Sequence, residues 1–315
     1  MTQRVSPDNF IRAETDMYFG NVIAGAGLGA FKHFRDFGSL DDQLVVRQNR
    51  DTLYSAGVFD LDAGPVVVTL PDAGDRFRSL QVITQDHYVP TVIYTSGAHT
   101  FNRAGIGTRY VMLVLRILVD PNNSGDLAAV HALQDNVAVE QASPGTFEVP
   151  DWDPVAQKTV RDALVTLFAT LPDTKRMFGR ADEVDPIRRL IGSAAAWGGN
   201  PERDALYLTV DPDANDGQTV HRLTITDVPV DGFWSVTVYN AEGYFTPNAM
   251  HAYSVNNITA VKDPDGAVTI QFGGAAAGAP NHLPVTPGWN YLVRLYRPRA
   301  EVLDGSWTFP AATPL

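Results

Sequence analysis

The sequence predicts a mainly β protein with helices, its strands forming antiparallel sandwiches in two halves of similar size. Three observations lead there. A chain of 315 residues exceeds most single cores and fits two domains. Short β-type runs separated by turn residues fill two blocks of the chain, and a clearly helical stretch stands between them. Strand spacing and turn density favour antiparallel sheets over βαβ units.

Composition narrows the function classes. Hydrophobic residues at 44% and charged residues at 19% describe an ordinary folded chain. The net charge of −12 argues against nucleic acid or an anionic membrane as partner, because both require clustered Lys and Arg. With no cysteine there is no disulfide framework, no thiol nucleophile and no thiolate metal site. The apolar run Met17–Phe31 follows Asp8, Glu14 and Asp16 and contains Asn21, unlike the basic start and uncharged core of an export signal. A cytoplasmic location is expected.

Ser6-Pro7-Asp8 reads as a helix start, with Ser as N-cap and Pro at the first position, and the helix should run towards Gly20. Gly25-Ala26-Gly27-Leu28-Gly29-Ala30 invites a nucleotide-loop reading, but helix rather than strand precedes it, so close packing of small residues explains it better. From Leu44 the pattern turns to strands: Gly57–Asp60, Val66–Leu70, Phe77–Thr84, Val89–Thr95 and Tyr110–Val119. A helix follows from Leu127 with Asp126 as cap. Asp153-Pro154 starts another, with Leu164, Leu167, Phe168 and Leu171 as its apolar stripe. Asp185-Pro186 starts a third, with Ile187, Leu190, Ile191 and Ala194 facing inward and Gly198 as a stop. Strands resume at Tyr207–Val210, Val220–Thr226, Phe233–Tyr239, Ala267–Phe272 and Asn290–Tyr296. In Phe233–Tyr239, Trp234, Val236 and Val238 alternate with Ser235 and Thr237, which predicts a strand with one buried face. The expected organisation is an N-terminal helical segment over 1–43, a β domain over 44–145, a helical connector over 146–205 and a β-sandwich over 206–315.

Two groups of motifs are familiar. Arg47-Gln48-Asn49-Arg50-Asp51-Thr52-Leu53-Tyr54-Ser55, with Phe59-Asp60-Leu61 and Gly64-Pro65, resembles the opening of the DUF1254 domain. Gly232–Asn240, Gly243-Tyr244-Phe245, Asn248, Tyr253-Ser254, Leu283-Pro284, Arg294–Pro298 and Asp304–Trp307 resemble its usual partner, the DUF1214 domain. The resemblance covers the chain from about Leu44 onward. It implies two jelly-roll-like sandwich domains and little about reaction, since both domains are named for unknown function. Two departures stand out. The segment between Tyr94 and Tyr110 is shorter than in longer members, and His282 stands where close relatives have cysteine in the same Asn-x-Leu-Pro setting.

Chemistry could come from several clusters. Arg47, Asn49, Arg50, Asp51, Thr52 and Tyr54 crowd one strand entry, where guanidinium groups could clamp an anion and Asp51 serve as base. The plainer alternative is an Arg–Asp pair within a polar turn. Asp86 beside His87 could tune an imidazole for acid–base work, provided the strand has ended there, because neighbours in a strand point apart. Arg116 inside the apolar run Val111–Val119 needs a partner, such as Asp51 or Asp86. The seven histidines form no i, i+2 or i, i+4 metal pair, though a metal held by distant residues such as His87 with His251 or His282 stays open. Trp197, Trp234, Tyr239, Tyr244, Phe245, Trp289 and Tyr296 could line a cavity or fill the core.

The leading expectation is an enzyme without an organic cofactor, running hydrolase- or lyase-type acid–base chemistry on a small organic molecule between the two β domains. Asp51, Asp86, His87 and Tyr54 are the candidate catalytic residues. Arg47, Asn49, Arg50, Arg116, Trp197, Tyr239 and His282 are the candidate binding residues. The alternatives are a non-catalytic module for small molecules or carbohydrates, and a structural protein assembling as a homo-oligomer through sandwich faces or edges.

Overall fold

The computed structural model describes residues 2–41, 43, 46–275 and 279–315; Leu44, where the β pattern is expected to begin, lies outside them. The chain forms two compact units, each drawn from several stretches. The first takes the residues up to Arg35, Tyr54–Leu118 and Ala128–Glu202; the second takes Asp36–Leu53, Val119–Leu127 and Arg203–Leu315.

The first unit begins with α1 (Phe10–Ala26) and β1 (Phe31–His33). Then come β2 (Thr52–Asp60), β3 (Val66–Leu70), β4 (Arg78–Thr84), β5 (Val92–Ile93), β6 (Gly97–Phe101), α2 (Arg103–Ile106) and β7 (Tyr110–Leu118). It closes with α3 (Ser124–Asp135), β8 (Ala138–Glu140), α4 (Pro154–Phe168) and α5 (Pro186–Ala195). Its sheets run β1-β2-β7-β4-β5 and β6-β3-β8. The apolar run of β7, broken by Arg116, suits a central strand covered on both faces. Tyr110, Met112 and Val114 pack with Ala56, Val58 and Ile83 under Phe19 of α1, while Leu113, Leu115 and Ile117 are buried on the other face with Leu80 and Val82.

The helices show which start signals carried. Asp153 caps α4 by accepting from Val155 N at 2.9 Å and Ala156 N at 3.1 Å, and Asp185 caps α5 in the same way. For α3 the cap is Asn123, whose Oδ1 accepts from Gly125 N and Asp126 N; Asp126 instead accepts from Asp120 N at 2.8 Å. Helix α1 starts later than Ser6 implies, because Ser6 and Asn9 close a turn on each other first. It runs through Gly20 and stops at Gly27, where φ is +84°. Helices α1, α4 and α5 share a cluster of Phe10, Ala13, Leu164 and Ile191. Two residues expected on the inner stripes face outward: Leu167, in the last turn of α4, is 49% exposed, and Ile187, in the first turn of α5, is 71% exposed. Among the described residues no helix is long and apolar enough to cross a membrane.

The second unit holds β9 (Ala205–Val210), β10 (His221–Ile225), β11 (Trp234–Tyr239), β12 (Ser254–Asn256), β13 (Val268–Phe272), β14 (His282–Leu283), β15 (Asn290–Tyr296), α6 (Ala300–Leu303) and β16 (Thr313–Pro314). Its sheets are β12-β11-β15-β9 and β14-β13-β10-β16, antiparallel except for the β13–β14 pair. Trp234, Val236, Val238, Val293 and Leu295 of one sheet meet Leu223, Ile225, Ile270 and Phe272 of the other, with Trp289 among them. This is a sandwich core. Most of the candidate cavity aromatics are core as well: Trp234, Tyr239, Phe245, Trp289 and Tyr296 are buried.

Strand β11 departs from expectation. All six of its residues are buried, not only the apolar alternate. Its second face, carrying Ser235, Thr237 and Tyr239, is a polar layer inside the unit.

Candidate functional site

Antiparallel register builds that layer. Ser235 lies opposite both Arg294 of β15 and Asn256 of β12, and Thr237 lies opposite Ser254. Directly opposed residues share a face, so Ser235, Thr237, Tyr239, Arg294, Ser254 and Asn256 project together. The segment Arg47–Thr52 supplies the remaining groups. Arg47 sits at φ +53°, and its N–H donates to Gly243 O at 2.8 Å. Gly243 is required there, since a Cβ would stand 2.8 Å from Val46 Cγ1. Asn49 Oδ1 accepts from Asp51 N at 2.7 Å, and Asn49 Nδ2 donates to Thr52 Oγ1 and Tyr296 OH.

Asp51 is completely buried. Its Oδ1 accepts from Ser254 Oγ at 2.8 Å and from Asn256 Nδ2 at 3.0 Å, while Oδ2 lies 3.9 Å from Arg294 Nη1. At an effective dielectric of 20, charges that far apart attract by about 4 kcal/mol, comparable with the several kcal/mol that burying each ion costs. The ion pair alone therefore gains little, and the hydrogen bonds carry the arrangement. Arg294 donates from Nη1 to Thr237 Oγ1 at 2.8 Å, and from Nη2 to Arg47 O and Tyr239 OH, each at 2.8 Å. Tyr239 OH in turn donates to Gln48 O at 2.8 Å. Burial alone would lower the Arg294 pKa; the Tyr239 and Asp51 oxygens outweigh it and hold the guanidinium above its ordinary value. Burial likewise raises the Tyr239 phenol.

Proton positions follow from these donors. Arg294 can only donate, so Thr237 Oγ1 accepts and its own proton is available for Ser254 Oγ, 3.1 Å away. Ser254 then donates to Asp51. The result is a polarised chain from guanidinium through two hydroxyls to carboxylate. Ser254 is also a wall of a pocket of ≈ 220 Å³, together with Arg50, His251, Tyr253, Asn122, Pro121 and Leu40. That volume lies below the usual range for drug-sized ligands and suits a small metabolite.

The other candidates lie in the first unit. There β4 ends at Thr84, and a turn follows in which His87 N donates to Thr84 O and His87 takes φ +61°. The strand has ended, yet Asp86 and His87 still part. Asp86 pairs with Arg12, and its carbonyl accepts from Arg189 Nη1 at 2.6 Å. His87 is buried beneath Trp197, with ring centroids 5.2 Å apart, and its Nε2 accepts from Gly198 N at 3.0 Å. Burial, with Arg189 nearby, lowers its pKa to about 3, so the ring is neutral at physiological pH. Arg116 donates to Gln81 Oε1 at 2.7 Å and Gly198 O at 3.4 Å, and lies 5.2 Å from the Tyr54 ring. Gln81 Nε2 reaches Gly199 O at 2.8 Å. Tyr54, His87, Arg116 and Trp197 thus gather around residues 197–199, where Gly199 is needed because a Cβ would stand 2.4 Å from the Phe178 ring.

The structure therefore sorts the sequence candidates into sets. Arg47, Asn49, Asp51 and Tyr239 meet in the polar layer, and Arg50 lines the pocket. Tyr54, Arg116, His87 and Trp197 form the first-unit clasp, with Asp86 turned to Arg12. His282 belongs to neither: it is buried in β14, with Nε2 bonded to Gly273 O at 2.9 Å. Among the described residues no three His, Asp or Glu side chains are placed to hold a metal ion. Sequence reading missed Arg294 and Ser254. Arg294 carried the same signal as Arg116, a charge inside an apolar strand; Ser254 carried none.

Comparisons with known proteins agree with this architecture. A crystal structure from Vibrio parahaemolyticus, the VPA0106 protein, is 18% identical, with 98% of each chain covered and a TM-score of 0.71. A putative uncharacterized protein from Burkholderia cenocepacia is 14% identical over 98% of this chain and 87% of its own, with a TM-score of 0.54. At such identities the likeness concerns the fold alone. No curated protein matches the chain. Residues 28–105 match the protein of unknown function DUF1254, and residues 204–300 match the protein of unknown function DUF1214. The chain accordingly belongs to the two-domain family in which a DUF1254 region precedes a DUF1214 region.

Proposed function

We propose that the protein is a cytoplasmic enzyme that performs hydrolase- or lyase-type acid–base chemistry on a small organic molecule in the pocket beside Ser254. One observation carries the reading: the hydrogen-bond chain Arg294–Thr237–Ser254–Asp51 ends on a buried carboxylate and passes through Ser254, a residue that lines the pocket. In this role Asp51 is the base. It takes the Ser254 proton while Ser254 Oγ takes one from the reacting group, and Thr237 supports the hydroxyl as the proton moves. Arg294 Nη1 faces the other Asp51 oxygen at 3.9 Å. The cytoplasmic part of the reading is supported by the apolar run Met17–Phe31, which is built into the first unit: Phe19 lies in its core and Phe31 packs on Phe59 at 5.6 Å.

A non-catalytic binding module is the second reading, favoured by the complete burial of Asp51, which meets the pocket only through Ser254. The two separate on a substrate screen of esters, lactones and β-hydroxy acids with the purified full chain. Catalysis requires turnover that Ser254→Ala and Asp51→Asn each reduce at least a hundredfold, with ligand binding retained. Turnover indifferent to both variants would remove the enzyme reading.

A further inference from the structure

Arg50 has an unusual setting for a cation. Its guanidinium carbon lies 4.9 Å from the Phe37 ring, 5.5 Å from Tyr253 and 5.8 Å from Phe245. Rings attract the charge but accept none of the in-plane N–H bonds that a guanidinium offers. Among the described residues its one hydrogen bond is a long contact of 3.4 Å to Gly38 O, and no carboxylate pairs with it. Partial burial pushes its pKa down, with Tyr253 acting weakly the other way, which is the mark of a charge taken out of water without a counter-ion. The donors that remain belong to a side chain lining the ≈ 220 Å³ pocket.

The neighbouring groups define the missing partner. Tyr253, whose OH accepts from Asn248 N at 3.3 Å, presents its ring to Arg50 as part of the pocket wall. Behind the wall, Asp51 lies 3.9 Å from Arg294, and among the described residues no carboxylate pairs with Arg50. One planar fork fits one planar anion bidentately. A phosphate dianion would bring a second negative charge towards Asp51 with nothing to meet it.

We propose that Arg50 anchors the carboxylate of a small organic monocarboxylate in this pocket. The inference rests on the reading of the pocket as the functional site and names its ligand class. The carboxylate sits against Arg50, and the rest of the molecule extends to Ser254.

The test is titration of the full-length protein with propionate, lactate, pyruvate and benzoate, with their primary amides as neutral counterparts, and with inorganic phosphate, read by calorimetry and ligand-observed NMR. At least one carboxylate should bind, its amide at least tenfold more weakly, and phosphate no better than the amide. Arg50→Gln should lose at least tenfold in carboxylate affinity, while Ser254→Ala retains it. Should Arg50→Gln fail to fold, Arg50→Lys, which keeps the charge and loses the fork, should show the same direction with a smaller loss. Equal binding of acid and amide, preference for phosphate, absence of carboxylate binding, or unchanged affinity in the Arg50 variants would each overturn the proposal. Turnover is a separate readout. Carboxylate binding without turnover leaves this inference standing and removes the enzyme reading; turnover of neutral substrates without carboxylate binding does the reverse.

Discussion

Both units bury polar and charged side chains against a sheet, and they close them differently. In the first unit His87, Arg116 and Gln81 each bond to a main-chain group of Gly198 or Gly199, and Arg116 also donates to Gln81. The side chains hold a loop, and their chemistry ends there. In the second unit Arg294, Thr237, Ser254 and Asp51 bond in a chain that ends on a buried carboxylate and passes through Ser254, a residue that lines a pocket. Residue types alone do not separate the cases, since an Asp-His pair and an isolated strand arginine are as suggestive as Asp51 with Arg50. What separates them is where the last hydrogen bond lands.

The contrast is most exposed to removal of Asp51. Asp51→Ala leaves Arg294 charged and buried without its partner and takes the acceptor from Ser254 and Asn256. A loss of about 3–5 kcal/mol is expected, read as a lower urea midpoint for the second unit. Arg116→Met in the first unit should cost about 1–3 kcal/mol, because the long side chain keeps its packing while Gln81 and the Gly198 carbonyl lose a donor. Equal costs at both sites would erase the distinction between a loop clasp and a charge network.

The next test uses pH. The folded pKa of His87 is about 3 against an ordinary 6.5, because burial and nearby Arg189 disfavour the imidazolium. The unfolded chain therefore binds a proton that the folded chain refuses. Stability contributed by His87 is fully present above pH 6.5 and is lost as pH falls towards about 3, at a slope approaching 1.4 kcal/mol per pH unit. Wild type should lose stability more steeply than His87→Phe across that window, since the variant has no group to titrate there. Parallel pH profiles would mean that His87 takes its proton in the folded state, and the first-unit cluster would return as an acid–base candidate.

How much of this was legible in the sequence depends on where the information sits. The caps at Asp153 and Asp185 were readable because a cap is local, bonding within three residues of itself. Most strand positions were readable because β patterning is local too. The pairing of Asp51 with Ser254 and Asn256, about two hundred positions away, depends on sheet register, which no local pattern fixes. The same limit explains β11. Its Ser and Thr positions looked solvent-facing because alternation reports polarity, and a polar face can be covered by another segment as easily as by water. The segment that covers it, Arg47–Thr52, was recognised as dense in polar residues, but its partners in the DUF1214 region could not be read from it.

Tyr239→Phe asks whether the polar layer is a network or a set of separate contacts. The hydroxyl accepts from Arg294 and donates to Gln48 O, so its loss removes two bonds and leaves one donor and one carbonyl to find other partners. With the two treated as separate hydrogen bonds, the substitution should cost about 1 kcal/mol for each. In a cooperative network it should also weaken the arginine's hold on Thr237 and, through it, on Ser254. A double-mutant cycle with Ser254→Ala measures this directly. A coupling energy above about 0.5 kcal/mol between residues that share no hydrogen bond means that the strain travels through Arg294 and Thr237. Additive losses would show that Ser254 and Asp51 act as an isolated pair, and the contrast with the first-unit clasp would then rest on the pocket alone.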